Sequence, residues 1–92
     1  MLFKLFESKQ FKKDLKKMKG RGKDLRRLKE VVEFLSYGYR LPENYRDHKL
    51  KGKFSNSRDC HLEPDWILIY TVDKDKNLLI LERTGSHSDL FR

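Results

Sequence analysis

A chain of 92 residues has room for one domain around one core, and with 39% charged residues against 37% hydrophobic ones that core is lean. Six Phe, four Tyr and one Trp exclude a disordered tail, and a lone cysteine, Cys60, excludes an internal disulfide and points to the cytosol. The net charge of +8 is unevenly placed: residues 1–30 hold twelve Lys/Arg against four Asp/Glu, residues 31–92 ten of each. A localised cationic surface of this kind attracts polyanions by counterion release, nucleic acid foremost.

Residues 2–6 are short, apolar and aromatic, which predicts a strand. Lys4 and Glu7 break up the apolar character that a secretory signal requires. Ser8 then offers an N-cap for a helix to about Lys19, with Phe11, Leu15 and Met18 in one stripe. Gly20-Arg21-Gly22 interrupts it, and Leu25, Leu28, Val31, Val32 and Leu35 make a second apolar helix face that ends before Gly38. Tyr39 to Asp47, with Pro42 and Asn44, reads as a loop. Strands are predicted around residues 50–54, 57–63, 66–73 and 77–84. Trp66 to Tyr70 is apolar on both faces and so belongs at the centre of a sheet. Asp73 to Asn77 is the polar turn of a hairpin, and Gly85 to Arg92 a short tail. One strand, two antiparallel helices and a run of antiparallel strands give an α+β class, a single domain over residues 1–92 with both helices on one face of an antiparallel sheet. The longest uncharged core-like run, Trp66 to Val72, falls well short of the roughly 20 residues that a bilayer crossing needs, so no membrane span is expected.

The three histidines, His48, His61 and His87, all lie in the charge-balanced part of the chain. Alternation along 57–63 turns His61 outward if Cys60 and Leu62 are core. The same alternation puts Leu79, Leu81 and Arg83 on one face, with Arg83 at the strand's end near His87. Each residue also has a structural explanation: Trp66 as core, Asp65 as a turn residue after Pro64, Arg83 as a partner of Glu82 or Asp65, Cys60 as a small buried hydrophobe. Lys49, Lys51 and Lys53 would alternate along one strand face, guarding an edge or binding phosphate. The histidines are far apart in sequence and without an acidic cluster, so neither a metal nor another cofactor is expected. Taken together, imidazoles, a carboxylate, a guanidinium and lysines in a cationic protein are the groups a metal-free ribonuclease uses: a base for the 2′-OH, an acid for the leaving oxygen and a cation for the phosphorane charge. Trp66 and Phe91 are the aromatic candidates for stacking a base.

Three blocks in order carry a resemblance that covers nearly the whole chain: Asp47-His48-Lys-Leu50-Lys-Gly52, Arg58-Asp-Cys-His61-Leu-Glu-Pro64-Asp65-Trp66-Ile-Leu-Ile-Tyr70, and Arg83-Thr-Gly85-Ser-His87-Ser-Asp-Leu90-Phe91. With them the chain resembles the RelE superfamily of bacterial toxins, in its YafQ-type branch of mRNA interferases. The resemblance implies an endoribonuclease that cuts mRNA, usually on the ribosome, and stops translation. It implies that His48, His61, Asp65, Arg83, His87 and Phe91 occupy active-site positions: His87 for proton transfer, assisted by His48, His61 and Asp65, with Arg83 on the scissile phosphate and Phe91 on the nucleotide. Lys49, Lys51, Lys53 and Trp66 are further RNA-binding candidates. It also implies a cognate antitoxin, typically a ribbon-helix-helix dimer, whose complex with the toxin binds operator DNA. The chain departs from the family's usual pattern at Phe54, often Trp, and Lys49, often Pro.

Two rival readings follow from the basic helices alone. One is a non-catalytic RNA- or DNA-binding module in which Gly20 to Gly22 joins a helix-turn-helix, although Arg26, Arg27 and Lys29 lack the accompanying Asn or Gln of a major-groove reader. The other is a membrane-surface helix from Phe3 to Met18.

Overall fold

A computed structural model describes residues 2–52 and 56–91. Strand β1 (Lys4–Glu7) leads into helices α1 (Lys9–Gly20) and α2 (Leu25–Ser36), and strands β2 (His48–Lys49), β3 (Arg58–Glu63), β4 (Trp66–Asp73) and β5 (Leu78–Gly85) precede a last short helix, α3 (His87–Leu90). The five strands form one sheet in the order β1-β5-β4-β3-β2. The α+β class with two helices against a sheet matches the expectation.

Local chemistry accounts for the helix boundaries. The Ser8 hydroxyl accepts from the Phe11 amide and starts α1, which divides the stretch read as one amphipathic helix from Phe3 to Met18 into strand and helix. Gly22 and Gly38 follow α1 and α2 at φ 82° and 79°, where a side chain would be strained. At Gly38 a Cβ would also come within 2.7 Å of Leu2. The Asp24 carboxylate caps α2 by accepting from the Arg26 amide.

Phe11 and Met18 of α1 and Leu28, Val31, Val32 and Leu35 of α2 pack with Cys60, Leu62, Trp66, Leu68, Tyr70, Leu79 and Leu81 in one core. Trp66, Ile67, Leu68 and Ile69 are all fully buried, as befits a central strand. The opposite face of β4 carries a smaller cluster of Ile67, Ile69 and Leu90, with Leu50 against it.

Four expectations are corrected. The sheet is mixed, because β1 runs parallel to β5 and covers the first half of its outer edge. The strand expected at 50–54 is instead the two-residue β2, which pairs His48 with Asp59 and Lys49 with Arg58. Gly52 takes a positive φ of 70°, Leu50 and Lys51 lie outside any strand, and Lys53 and Phe54 fall outside the described residues. The segment Gly85 to Arg92 is not a plain tail: Ser86 and Asp89 form a reciprocal capping box that builds α3.

The fourth correction is a β-bulge. Tyr70 pairs with Leu81 but Ile69 pairs with Arg83, so Glu82 is an extra residue in β5. The extra residue reverses the alternation, and Arg83 stands on the face opposite Leu79 and Leu81. Thr84 turns into the core instead, where its hydroxyl accepts from Trp66 Nε1 at 2.9 Å and donates to the Ile67 carbonyl at 2.8 Å.

Trp66→Ala should therefore remove about 3–5 kcal/mol of stability, since it empties the site of the largest fully buried side chain and removes the indole donor to the Thr84 hydroxyl. Urea unfolding followed by circular dichroism measures this, and a loss below about 1 kcal/mol would contradict the burial described.

Candidate active site

Residues paired across neighbouring strands share a face of the sheet. The pairs His48–Asp59, Asp59–Ile69 and Ile69–Arg83 place His48, Asp59, Ile69 and Arg83 in one cross-sheet row. The pairs His61–Ile67 and Ile67–Gly85 make a second row beside it, two residues short of His87. Both rows face away from α1 and α2, and the three histidines, scattered in sequence, converge there. Their ring centroids are 6.5 Å apart for His48 and His61 and 5.5 Å for His61 and His87. Phe91 continues the series 6.2 Å from His87 and is 42% exposed.

Two imidazoles are oriented by acceptors on Nδ1. In His87, Nδ1 is 2.6 Å from Asp65 Oδ1, which also accepts from the His87 amide at 2.9 Å. Asp65 stands in the tight turn between β3 and β4, and these two bonds hold its carboxyl below the usual carboxylate range. In His48, Nδ1 hydrogen-bonds the Arg46 carbonyl oxygen at 2.8 Å, and the buried Asp59 Oδ1 lies 2.9 Å from it as an ion-pair neighbour without hydrogen-bond alignment. Both arrangements leave Nε2 to exchange a proton with a substrate. His61 is half-buried, and among the described residues its Nδ1 has no hydrogen-bond partner. It borders a cavity of about 480 Å³ lined by Arg27, Tyr45, Arg46 and Glu63.

Of the residues expected to act, the structure gathers His48, Asp59's neighbour His61, Asp65, Arg83, His87 and Phe91 on or at the end of this face. Arg83 pairs with neither Glu82 nor Asp65: its Nε donates to Asp14 Oδ2 at 2.7 Å. Trp66 is corrected from an RNA-binding candidate to a core residue, because it is 0% exposed and offers no ring face to a base. Lys49 and Lys51 are exposed, and so are six lysines of α1 (Lys9, Lys12, Lys13, Lys16, Lys17 and Lys19), which take no part in the ion pairs among the described residues.

Sequence reasoning missed Asp59. It is 3% exposed and sits beside His48 on the face that His61 also occupies. Burial raises its carboxyl above the ordinary value, against the opposing pull of His48 and His61. The signal that could have found it is its alternation with His61. Among the described residues, no group of three or more His, Cys, Asp or Glu side chains is arranged to hold a metal.

The class is thus a small α+β protein with one open sheet face that gathers three imidazoles, two carboxylates, a guanidinium and an aromatic ring, groups capable of acid–base chemistry, and with a lysine-rich first helix. A family model described as "Bacterial toxin of type II toxin-antitoxin system, YafQ" matches residues 3–92. The mRNA interferase toxin YafQ of Escherichia coli K12 is 47% identical over 83 residues, covering 89% of this chain and 88% of that protein. Among solved structures, a metal-bound toxin from Helicobacter pylori superposes with a TM-score of 0.91 at 46% identity, covering 99% of this chain and 100% of that one. YafQ in the E. coli DinJ-YafQ complex superposes with a TM-score of 0.88 at 42% identity, covering 98% and 99%. The chain belongs to the YafQ family of bacterial toxins of type II toxin-antitoxin systems.

The two acids predict opposite responses to pH. Asp65, held low, supports the folded state above about pH 4, and that support is lost as pH falls through its lowered value. Asp59, held high, favours the folded state only while protonated, so its contribution declines as pH rises from about 4 through its raised value. Asp59→Asn should accordingly be more stable than the parent at neutral pH and equal to it below about pH 4. Urea unfolding across that range tests this, and a less stable variant at neutrality would show that the contact with His48 outweighs the burial.

Proposed function

We propose that this protein is an endoribonuclease toxin that cleaves ribosome-bound mRNA in the bacterial cytosol, and that a cognate antitoxin neutralises it. Membership of the YafQ family, a relative named an mRNA interferase and the relative crystallised with DinJ support the activity and the partner class. A ribbon-helix-helix antitoxin dimer that carries the toxin to operator DNA is the form the family resemblance implies. No helix among the described residues is long and apolar enough to cross a membrane.

The observation that carries the reading is the ring series His48, His61, His87 and Phe91 on the face that also presents Arg83. One imidazole takes the proton of the ribose 2′-OH, and the 2′-oxygen attacks the adjacent phosphorus in line. The bond from phosphorus to the 5′-oxygen breaks, and an imidazolium gives that oxygen its proton. His87 is the foremost proton carrier, since Asp65 holds its Nδ1 and leaves Nε2 toward the open face. His48 and His61 complete the proton inventory, Arg83 stabilises charge on the phosphorane and Phe91 stacks against the nucleotide at the cut. Lys49, Lys51 and the lysines of α1 draw in the RNA; α2, by contrast, commits Leu28, Val31, Val32 and Leu35 to the core, as a toxin scaffold requires.

This chemistry leaves a 2′,3′-cyclic phosphate, or the 3′-phosphate it opens to, on the upstream fragment and a 5′-hydroxyl on the downstream one. Mapping these ends on mRNA programmed into bacterial ribosomes is the test, with metal removal and addition as separate arms because a relative was crystallised metal-bound. A 3′-hydroxyl with a 5′-phosphate would assign the reaction to activated water and displace the histidines from their roles. His87→Ala should lower the cleavage rate by about 10²- to 10⁴-fold with the fold intact. A fully active, folded variant would end its assignment.

Binding to ribosome-bound mRNA should weaken steeply between 50 and about 200 mM salt, and charge reversal at Lys12 and Lys16 should flatten that dependence. A salt-independent affinity would mean that the lysines of α1 do not contact phosphates.

A further inference from the structure

Asp14 is an acid on a helix face otherwise given to the core. It falls between Phe11 and Met18 on the inward side of α1 and is 6% exposed. A buried carboxylate needs compensating donors, and four are present. Oδ2 accepts from Arg83 Nε at 2.7 Å and from the Thr84 amide at 3.1 Å. Oδ1 accepts from Arg83 Nη2 at 3.2 Å and from Gln10 Nε2 at 3.0 Å. The carboxylate is thereby fixed in place, and it grips the guanidinium by two parallel bonds.

This contact is possible because of where β1 ends. It pairs with Leu78 to Leu81 only, so the outer edge of β5 beyond the Glu82 bulge is free of a strand and α1 lies along it. Arg83 leaves the sheet on the face of His48 and Asp59, and its guanidinium meets Asp14 at that edge. A guanidinium has five N–H donors in one plane. Asp14 takes the edge formed by Nε and one N–H of Nη2, leaving both N–H groups of Nη1 and the second of Nη2 on the far edge, the fork that matches a phosphate.

We propose that Asp14 is a positioning residue for RNA cleavage, orienting Arg83 so that the edge of its guanidinium with no hydrogen-bond partner among the described residues meets the scissile phosphate. The inference rests on the role given to Arg83 above. It differs from a purely structural ion pair between α1 and β5, because a structural pair would act on folding whether or not Arg83 touches RNA. Without Asp14 the cation remains but swings, so RNA is still attracted while charge stabilisation in the transition state is lost.

The test is a double-mutant cycle on the full chain, using mRNA on purified bacterial ribosomes for rates and a 2′-methoxy version of the same mRNA for affinity. Asp14→Asn should lower the single-turnover rate about 10- to 100-fold with affinity unchanged or tighter, since it removes a negative charge. In an Arg83→Ala background the same substitution should change the rate by less than about twofold. Asp14→Glu, which keeps a carboxylate but displaces it by a methylene, should give the same pattern if the Asn variant folds poorly. A parental rate in folded Asp14→Asn, or a loss of equal size with Arg83 already removed, would overturn the proposal. Parental cleavage by Arg83→Ala alone would instead remove the role of Arg83 itself, and this inference with it.

Discussion

The bulge at Glu82 is the constraint on which both sides of the sheet depend. A strand alternates with a period of two, so an unbroken β5 would send Arg83 into the core beside Leu81 and leave Thr84 outside. One inserted residue exchanges them. Arg83 reaches the face of the histidines, and Thr84 reaches Trp66, whose indole N–H would otherwise be buried without an acceptor. The insertion is anchored from both sides: Ser8 Oγ donates to the Glu82 carbonyl at 2.8 Å, and Thr71 Oγ1 donates to its carboxylate at 2.9 Å. The residue that caps α1 therefore also secures the irregularity that orients the site.

A second device fixes the other end of the face. The helix carrying His87 is only four residues long and could not persist through its own backbone bonds. It is held by the capping box of Ser86 and Asp89, by Leu90 against Ile67 and Ile69, and by Arg21, whose guanidinium forms two bonds to Asp89. Asp89 comes so close to the strand that a Cβ on Gly85 would lie 2.9 Å from its own Cβ, which explains glycine there without appeal to backbone conformation. Arg21 belongs to the turn between α1 and α2. The helices on one face are thus mechanically joined to the imidazole on the other.

Much of this was legible in the sequence, for reasons that differ by element. The helices announce themselves by Ser8, the glycines and a clean apolar stripe, and β4 by a run apolar on both faces. Cys60 and Leu62 correctly predicted the outward turn of His61. What stayed hidden depends on non-local pairing. Nothing in the residues of β5 marks Glu82 as extra, so Arg83 was assigned to the wrong face, and the parallel docking of β1 depends on an edge that exists only once the sheet has formed. Asp14 and Asp59 were passed over for one reason: an isolated acid in a basic or alternating segment reads as surface until its partner, many positions away, is known. The resemblance pointed to His48, His61, Asp65, Arg83, His87 and Phe91 but carried no information on Asp14 and Asp59.

The distribution of charge acquires a physical meaning once these pairs are seen. In the site, each cationic or protonatable group with a direction to keep has an acid behind it: His48 has Asp59, His87 has Asp65 and Arg83 has Asp14. In the proposed function such pairing weakens the site as a long-range attractor, but at His87 and Arg83 it fixes the direction of the N–H groups before a phosphate arrives, and a preoriented donor need not be reorganised when charge develops. In the same reading long-range attraction falls to the lysines of α1, which take no part in the ion pairs among the described residues and need no fixed geometry to act. Under the proposed function the +8 charge and the charge-balanced residues 31–92 are therefore two parts of one arrangement, in which the surface that gathers a polyanion is kept separate from the groups that must be aimed at it.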